Sequence, residues 1–374
     1  MPKNVLFVSH YPHFRMGGQK STLALIENLN RENINPYVLA PENGELLDKA
    51  KCLNCKTFAV ELYPLKPKNL FKIISLIKKI IKIIKKNKID IIHTDTERDA
   101  LVFGFAKKFT NAKMIWHSRL ARPDGTDNLI TKWADGIILI ANEIQKRFSN
   151  FSEIEHKTCT TYNGVFCDVF CPTDKLQIRN EFKLPDKKFI VSFIGQINKG
   201  KGVYDFIESA NYLKQNGSDN FLYLLIGKAN NDDEYNRINN FIDENNLKNN
   251  IKIIEHQKKI HKWMQASDIV ILPSYEGIEG MGRVLIEGMA CGKPVIGTNI
   301  SGIREAISAD TGILVEQNSP IQIAEAVSKF MNDEKMYSEF AKSARKRALS
   351  LFDIKKHTEN VEEFYDYVLR EGII

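Results

Sequence analysis

The chain has 374 residues, of which 43% are hydrophobic and 26% charged. That length suggests two domains of ordinary size, each burying its own core, and that composition excludes a largely disordered chain. The net charge of +7 is local: residues 66–88 hold nine lysines and no Asp or Glu, so the rest is slightly acidic and a general nucleic-acid-binding character is excluded.

The first apolar run is Val5–Val8. It is short and is followed by histidines, with no small-residue cleavage site, so it reads as a core strand and not as a secretory leader. It runs into SHYPHFRMGGQKST, where Gly17 and Gly18 precede a helix expected over Ser21–Leu29. A glycine turn feeding a helix start leaves unpaired amides that suit a phosphate; the same residues also make an ordinary turn. The motif is neither a dinucleotide fingerprint nor a triphosphate loop. His10 and His13 lie in this loop and either line an acceptor or face solvent.

Further strands are expected at Tyr37–Ala40, Thr57–Val60, Ile89–His93, Met114–His117, Gly136–Ile140 and Thr158–Tyr162. Helical patterns lie between most of them, as at Leu70–Lys86. On a 100° wheel that segment places Lys72, Lys78, Lys79, Lys82, Lys85 and Lys86 on one arc and its isoleucines on the other. Such a helix packs its isoleucines on a sheet and solvates its lysines; the lysine face also suits anionic lipid headgroups. No apolar run reaches the roughly 18 residues needed to span a bilayer. The run Met114–His117 ends in His117, Ser118 and Arg119. A lone histidine there is structural or meets a ligand, and Arg119 suits either an anionic acceptor group or a salt bridge.

Cys52 and Cys55 form one C-x-x-C, and Cys167 and Cys171 lie far downstream. Neither pair has a zinc-knuckle context, so the six cysteines read as reduced thiols of a cytoplasmic protein. The alternation breaks over residues 163–187 and resumes with strands at Phe189–Ile194, Phe221–Ile226, Ile251–Ile254, Ile269–Leu272 and Pro294–Gly297. Strands alternating with helices predict an α/β chain with two parallel sheets. The expected domains are 1–170, binding acceptor, and 171–352, binding a nucleotide sugar. Residues 353–374 are expected as a helix that packs back on the first domain, with Val361, Phe364, Tyr365 and Val368 on one face.

The richest segment is ILPSYEGIEGMGRVLIEGMACGKPVIGTNISGIRE, from Ile271 to Glu305. A strand stops at Pro273 and Ser274, and a loop carrying Gly277, Gly280 and Gly282 feeds a helix. The close backbone and the helix start together suit an anion. Glu279 and Glu287, with seven residues between them, repel phosphate but accept hydrogen bonds from hydroxyls. Phosphate beside hydroxyls describes a sugar nucleotide. The alternative is a tight turn with two solvated glutamates.

With these residues in view, the chain resembles the retaining glycosyltransferases of family 4. EGMGRVLIE resembles the family's E-x7-E element, with Glu279 and Glu287 in its glutamate positions. Gly292–Ile296, Gly302 and Glu305 match its trailing segment, and Asn163-Gly164-Val165 with Phe170-Cys171-Pro172 match its interdomain element. GQINKGKG, from Gly195 to Gly202, resembles its G-R-x-x-x-x-K-G element, and His117 its strand-end histidine. The resemblance implies a GT-B fold: two Rossmann-like parallel-sheet domains facing a central cleft. It implies transfer of a hexose-type sugar, with retained configuration, from a UDP- or GDP-sugar to a glycan or lipid-linked acceptor.

By that resemblance Glu287 binds ribose hydroxyls and Glu279 the transferred hexose. Gly280, Met281 and Gly282 offer amides to sugar and diphosphate, with Gly17, Gly18 and Gly195 beside the donor. Where the family has an arginine this chain has Gln196, so charge neutralisation falls on Lys201, helped by Lys199 or Arg283. His117, Glu279 and Lys201 are the expected catalytic set, and His10, His13 and Arg119 the acceptor side. No metal or cofactor is expected: Asp95 and Asp99 are too far apart for a D-x-D element, and Asp232-Asp233 lie in a polar stretch. The expected partners are the nucleotide sugar, the acceptor and, through residues 70–86, an anionic membrane surface; nucleic acid is not expected. The alternatives are a GT-B sugar-nucleotide epimerase and a basic nucleic-acid-binding protein.

Overall fold

A computed structural model of the chain describes residues 2–13, 17–151 and 154–371. It divides into two units, Met1–Gly164 with Ile354–Ile374, and Val165–Asp353. The division falls after Gly164, not at the expected residue 170. The Val165 amide donates to the Phe352 carbonyl at 2.7 Å, and Arg345 donates to the carbonyls of Cys167 and Phe170 at 3.0 and 2.9 Å. These bonds tie residues 165–170 to the second unit.

The first unit carries β1 (Lys3–Val8), α1 (Gly17–Asn28), β2 (Ile34–Ala40), α2 (Glu45–Cys52), β3 (Lys56–Ala59), α3 (Leu70–Lys86), β4 (Ile91–Thr94), α4 (Glu97–Lys107), β5 (Lys113–Ser118), α5 (Asp127–Trp133), β6 (Gly136–Leu139) and β7 (Thr158–Thr160). Its seven strands pair in parallel in the order β3-β2-β1-β4-β5-β6-β7. Val5, Ile91, Ile115 and Ile138 are fully buried beneath α1. Continuous apolar strands of this kind are what a sheet covered on both faces requires.

The second unit carries α6 (Lys175–Glu181), β8 (Phe189–Ile194), α7 (Val203–Gln215), β9 (Phe221–Ile226), α8 (Asp232–Glu244), β10 (Ile251–Ile254), α9 (Ile260–Ala266), β11 (Ile269–Leu272), α10 (Arg283–Ala290), β12 (Val295–Thr298), α11 (Ile303–Ala306), β13 (Gly312–Val315), α12 (Pro320–Asn332) and α13 (Glu334–Leu351). Its six parallel strands run β10-β9-β8-β11-β12-β13. Phe193, Phe206, Phe221 and Tyr223 fill its core.

The last helix, α14 (Ile354–Glu371), returns to the first unit. It buries Val361, Phe364, Tyr365 and Val368 there. Two glycines let it approach. A Cβ on Gly136 would press on Phe364 and Val368 at 2.8 Å, and one on Gly164 would meet the Ile354 backbone at 2.9 Å. The Asn163-Gly164-Val165 element therefore has a packing reason in this chain. Among the described residues no helix is long and apolar enough to cross a membrane.

Candidate active site

In open parallel sheets, ligands sit beyond the carboxyl ends of the strands, at the point where strand order reverses. In the second unit that point lies between β8 and β11. The turn after β8 carries Gly195 to Gly202, and the loop after β11 carries Pro273 to Gly282. Topology alone thus brings together two segments 78 residues apart in sequence, and the Lys201 ammonium pairs with Oε1 of Glu279.

Both sides of this pair are held by local structure. Asn198 caps the short turn through Lys201 by accepting the Lys201 amide at 3.1 Å. Gly202 then adopts a left-handed conformation, φ 72°, with its α-hydrogen side against the Pro273 carbonyl. The Tyr275 amide donates to the Gly200 carbonyl at 2.9 Å, and Ser274 Oγ donates to Oε1 of Glu279 at 3.2 Å. The Thr298 hydroxyl donates to the Ser274 carbonyl at 2.5 Å. The glycine-rich loop is therefore fastened from β8, β11 and β12 at once.

α10 starts at Arg283, behind Gly282 at φ 69°. Glycine takes this left-handed turn without the strain a side chain would add. The first-turn amides of a helix have no intrahelical carbonyl, so residues 280–282 deliver a close backbone to the same place. Glu287 lies one turn into α10, buried, and its Oε1 accepts from Arg283 Nε at 2.7 Å. Each expected acid is thus paired with an expected cation. Arg283 is not an uncompensated positive charge awaiting phosphate, since an (i, i+4) partner already holds it. Gln196 is exposed on the turn after β8, Gly195 is half-buried and Met281 is buried.

In the first unit the reversal lies between β1 and β4. The residues just past β1, β4 and β5 meet there. Arg119 donates through Nε and Nη2 to Oδ1 of Asp95, at 3.1 and 2.8 Å. It also donates to Asn163 at 3.2 Å and to the Thr22 hydroxyl at 3.3 Å. Thr22 in turn donates to Asp95 Oδ2 at 2.5 Å. Arg119 is thus already neutralised, and of its two expected roles the structure displays the salt bridge. A Cβ on Gly18, at the start of α1, would lie 3.7 Å from the Arg119 side chain, while one on Gly17 would meet nothing within 4 Å.

His117 is fully buried, not presented to solvent as a strand-end contact residue would be. Its Nδ1 lies 3.1 Å from His93 Nε2 and 3.5 Å from Arg119. Arginine can only donate, so His117 Nδ1 accepts and its proton sits on Nε2. His93 Nε2 then donates, and His93 Nδ1 accepts from the Tyr365 hydroxyl at 2.7 Å. Burial pushes His93 down to about 4, against the upward pull of Asp95. Burial, then the Arg119 charge, pushes His117 well below the ordinary histidine value. Both imidazoles are therefore neutral near pH 7, and His117 Nε2 has no hydrogen-bond partner among the described residues.

His93, Asp95 and His117 gather three ligand-type atoms within 4.8 Å of one another. Arg119 neutralises the carboxylate and the imidazoles bond each other, so the three groups form one hydrogen-bonded chain that leaves His117 Nε2 without a partner among the described residues. His10 is held between Asp99 at 3.1 Å and Arg98 at 3.0 Å, and His13 is exposed.

Sequence reasoning missed Asp95 as the partner of Arg119, Ser274 as the partner of Glu279, and Asp205. Asp205, on α7, is buried and accepts from the Tyr275 hydroxyl at 3.3 Å. Burial raises its carboxyl, and burial together with the Asp205 charge pushes the Tyr275 phenol up to about 12. For Asp205 no local signal existed, since its partner is 70 positions away. For Ser274 the signal was present: a hydroxyl five residues before Glu279 across a loop of glycines.

Residues 174–347 match the family model described as glycosyl transferases group 1. Residues 16–169 match that described as Glycosyltransferase Family 4. The chain is 24% identical to the capsular polysaccharide biosynthesis glycosyltransferase CapM of Staphylococcus aureus, over 93% of each chain. It is also 24% identical, over 93% of each chain, to the UDP-Gal:alpha-D-GlcNAc-diphosphoundecaprenol alpha-1,3-galactosyltransferase of Escherichia coli. The crystal structure of Anabaena HepE in complex with UDP superimposes with a TM-score of 0.85 at 19% identity, covering 97% of this chain and 99% of that one.

Proposed function

We propose that this chain, a glycosyltransferase of the GT-B type, moves a hexose from a nucleoside diphosphate sugar to a glycan or lipid-linked acceptor with retained configuration. One observation carries the reading: the Lys201–Glu279 pair at the strand reversal of the second unit, with the Arg283–Glu287 pair one turn behind it. Lys201 turns to the diphosphate and compensates the charge that grows as the nucleotide leaves. Glu279 then accepts hydroxyls of the hexose, and Glu287 those of the ribose. Amides of residues 280–282 add fixed dipoles where charge develops, each worth a few kcal/mol in a site closed to water. The bond from the anomeric carbon to the phosphate oxygen breaks as the bond to the acceptor oxygen forms. The acceptor proton passes to the departing phosphate. The Lys201 charge takes the part that a metal ion plays in other transferases, so transfer should persist in EDTA.

A uridine nucleotide is the first donor to try, because the Anabaena neighbour holds UDP and the Escherichia coli relative is named for UDP-Gal. The same relatives, named for a capsular polysaccharide and a diphosphoundecaprenol acceptor, support a growing glycan or lipid-linked sugar. In the first unit Arg119, set by Asp95 and Thr22, faces this acceptor chemistry, and His117 acts through Arg119 as a positioning residue. The test is thermal shift with UDP, GDP and ADP sugars, followed by transfer from the best donor in EDTA. A ligand bound only by the native state raises the melting temperature, by about 2.7 kcal/mol of stability at a hundred times its Kd. No stabilisation by any nucleotide sugar removes the donor-site reading. Conversion of the donor sugar without acceptor turns it into an epimerase.

A further inference from the structure

The solvent face of α3 is not a plain lysine stripe. The helix buries Leu76, Ile80 and Ile84 at (i, i+4, i+8) against the first unit. On the opposite face Lys78, Lys82 and Lys85 follow Phe71 at 7, 11 and 14 residues, which puts all four in one line along the helix. Phe71 is 87% exposed, and Leu65, Leu70 and Ile74 are exposed around it. A phenylalanine in line with three solvated lysines has no folding purpose there, since the core-facing residues lie on the other side. No Asp or Glu lies between residues 66 and 88 in the sequence. Of the acids flanking this span in the sequence, Glu61 accepts from the Tyr63 hydroxyl at 2.6 Å and Asp90 from the Asn4 amide at 2.8 Å, and Lys72 lies over the Tyr63 ring at 5.1 Å.

We propose that this end of α3 is a membrane-docking tip: Leu65, Leu70, Phe71 and Ile74 enter the headgroup boundary of an anionic bilayer while Lys78, Lys82 and Lys85 lie on its phosphates. Both halves point to a lipid surface. Lysines alone suit any polyanion, but a cluster of aliphatic side chains beside the phenylalanine gains nothing from a nucleic acid backbone. A bilayer supplies negative charge and hydrocarbon at adjoining depths, which is the pattern that amphipathic surface segments use. The purpose rests on the transferase reading, because an acceptor anchored in lipid must be met at the membrane. The binding itself does not.

The experiment is sedimentation of the whole protein with vesicles of phosphatidylcholine alone and with 30% phosphatidylglycerol (a chosen composition, about one anionic lipid in three). Binding is expected only to the anionic vesicles, with loss as salt rises and the Debye length shrinks. Lys78, Lys82 and Lys85 changed together to Gln should weaken binding about tenfold or more and flatten its salt dependence. Phe71→Ser should weaken it several-fold at every salt concentration. All four side chains are exposed, so melting temperature and donor-induced stabilisation should stay at wild-type values in both variants. No binding to anionic vesicles at low salt overturns the proposal. So does equal binding by the Phe71→Ser protein, or salt-sensitive binding to a duplex oligonucleotide with none to vesicles. None of these outcomes bears on transfer to a soluble acceptor, which tests the catalytic reading separately.

Discussion

At the scale of single residues, the candidate donor site is a balance of charges. Lys201 and Glu279 are mostly shielded, with side chains 20% and 14% exposed. Removing one partner of such a pair leaves the other unpaired in a poor solvent, which costs more than an exposed ion pair is worth. When a diphosphate arrives, the ammonium gains a stronger anion and Glu279 is freed for hydroxyls. Lys201→Met should therefore lower kcat/KM by roughly a hundred to a thousandfold, about 3–4 kcal/mol of transition-state stabilisation. Lys201→Arg keeps the charge but not the compact geometry, and should lose less. Steady-state kinetics with the donor found by thermal shift decide it; equal rates for Lys201→Met and wild type would remove Lys201 from the chemistry. The spacing of Glu279 and Glu287 was legible because two carboxylates on one loop and helix leave a local trace. The pairing with Lys201 was not, because Lys201 reaches Glu279 across 78 positions only through the order of strands.

At the scale of elements, the turn after β8 and the loop after β11 are one construction joined at Gly202. Its φ of 72° excludes easy substitution, and a Cβ there would collide with the Pro273 carbonyl. Gly217 has a similar φ of 83° but open space around the missing Cβ. Gly217→Ala should therefore cost only the left-handed strain, about 1–2 kcal/mol. Gly202→Ala should cost clearly more and move Lys201 away from Glu279. Chemical denaturation of the two variants, with donor-induced stabilisation as the second readout, separates strain from collision; equal costs would mean that Gly202 is only a turn residue. The long strands, such as Phe189–Ile194 with its single Ser192 and Phe221–Ile226, were legible because six-residue runs this rich in apolar side chains have few other fates. Two elements were not. β13 has only four residues, two of them half-buried, on the edge of the sheet. α6 lies in a stretch read as irregular; it starts at an Asp174 cap and buries Arg179, which donates to Asp268 at 2.6 Å. Its inward face is ionic, so a hydrophobic period gives no sign of it.

At the scale of the whole molecule, the chain commits two neutral histidines to the interior of its first unit, and folding there is coupled to acid. His93 titrates at about 4 in the folded protein and near 6.5 when unfolded. Between these values the unfolded chain binds more protons, so stability rises with pH. The contribution is complete above about pH 6.5 and is lost as pH falls toward 4, on the order of 3 kcal/mol for His93, with His117 adding in the same direction. Asp205 and Glu208 oppose it, because burial raises their carboxyls and favours the protonated native form; both belong to the second unit. The signal must therefore be read from the first unit alone. Trp116 and Trp133 lie in that unit and Trp263 in the other, so fluorescence in a Trp263→Phe background isolates it. The melting temperature of that transition should fall steeply between pH 6.5 and 4. His93→Gln, which keeps an amide between Tyr365 and His117 but takes up no proton, should flatten the fall at the expense of some stability at neutral pH. An unchanged slope would locate the acid-sensitive proton uptake outside the His93–His117 chain.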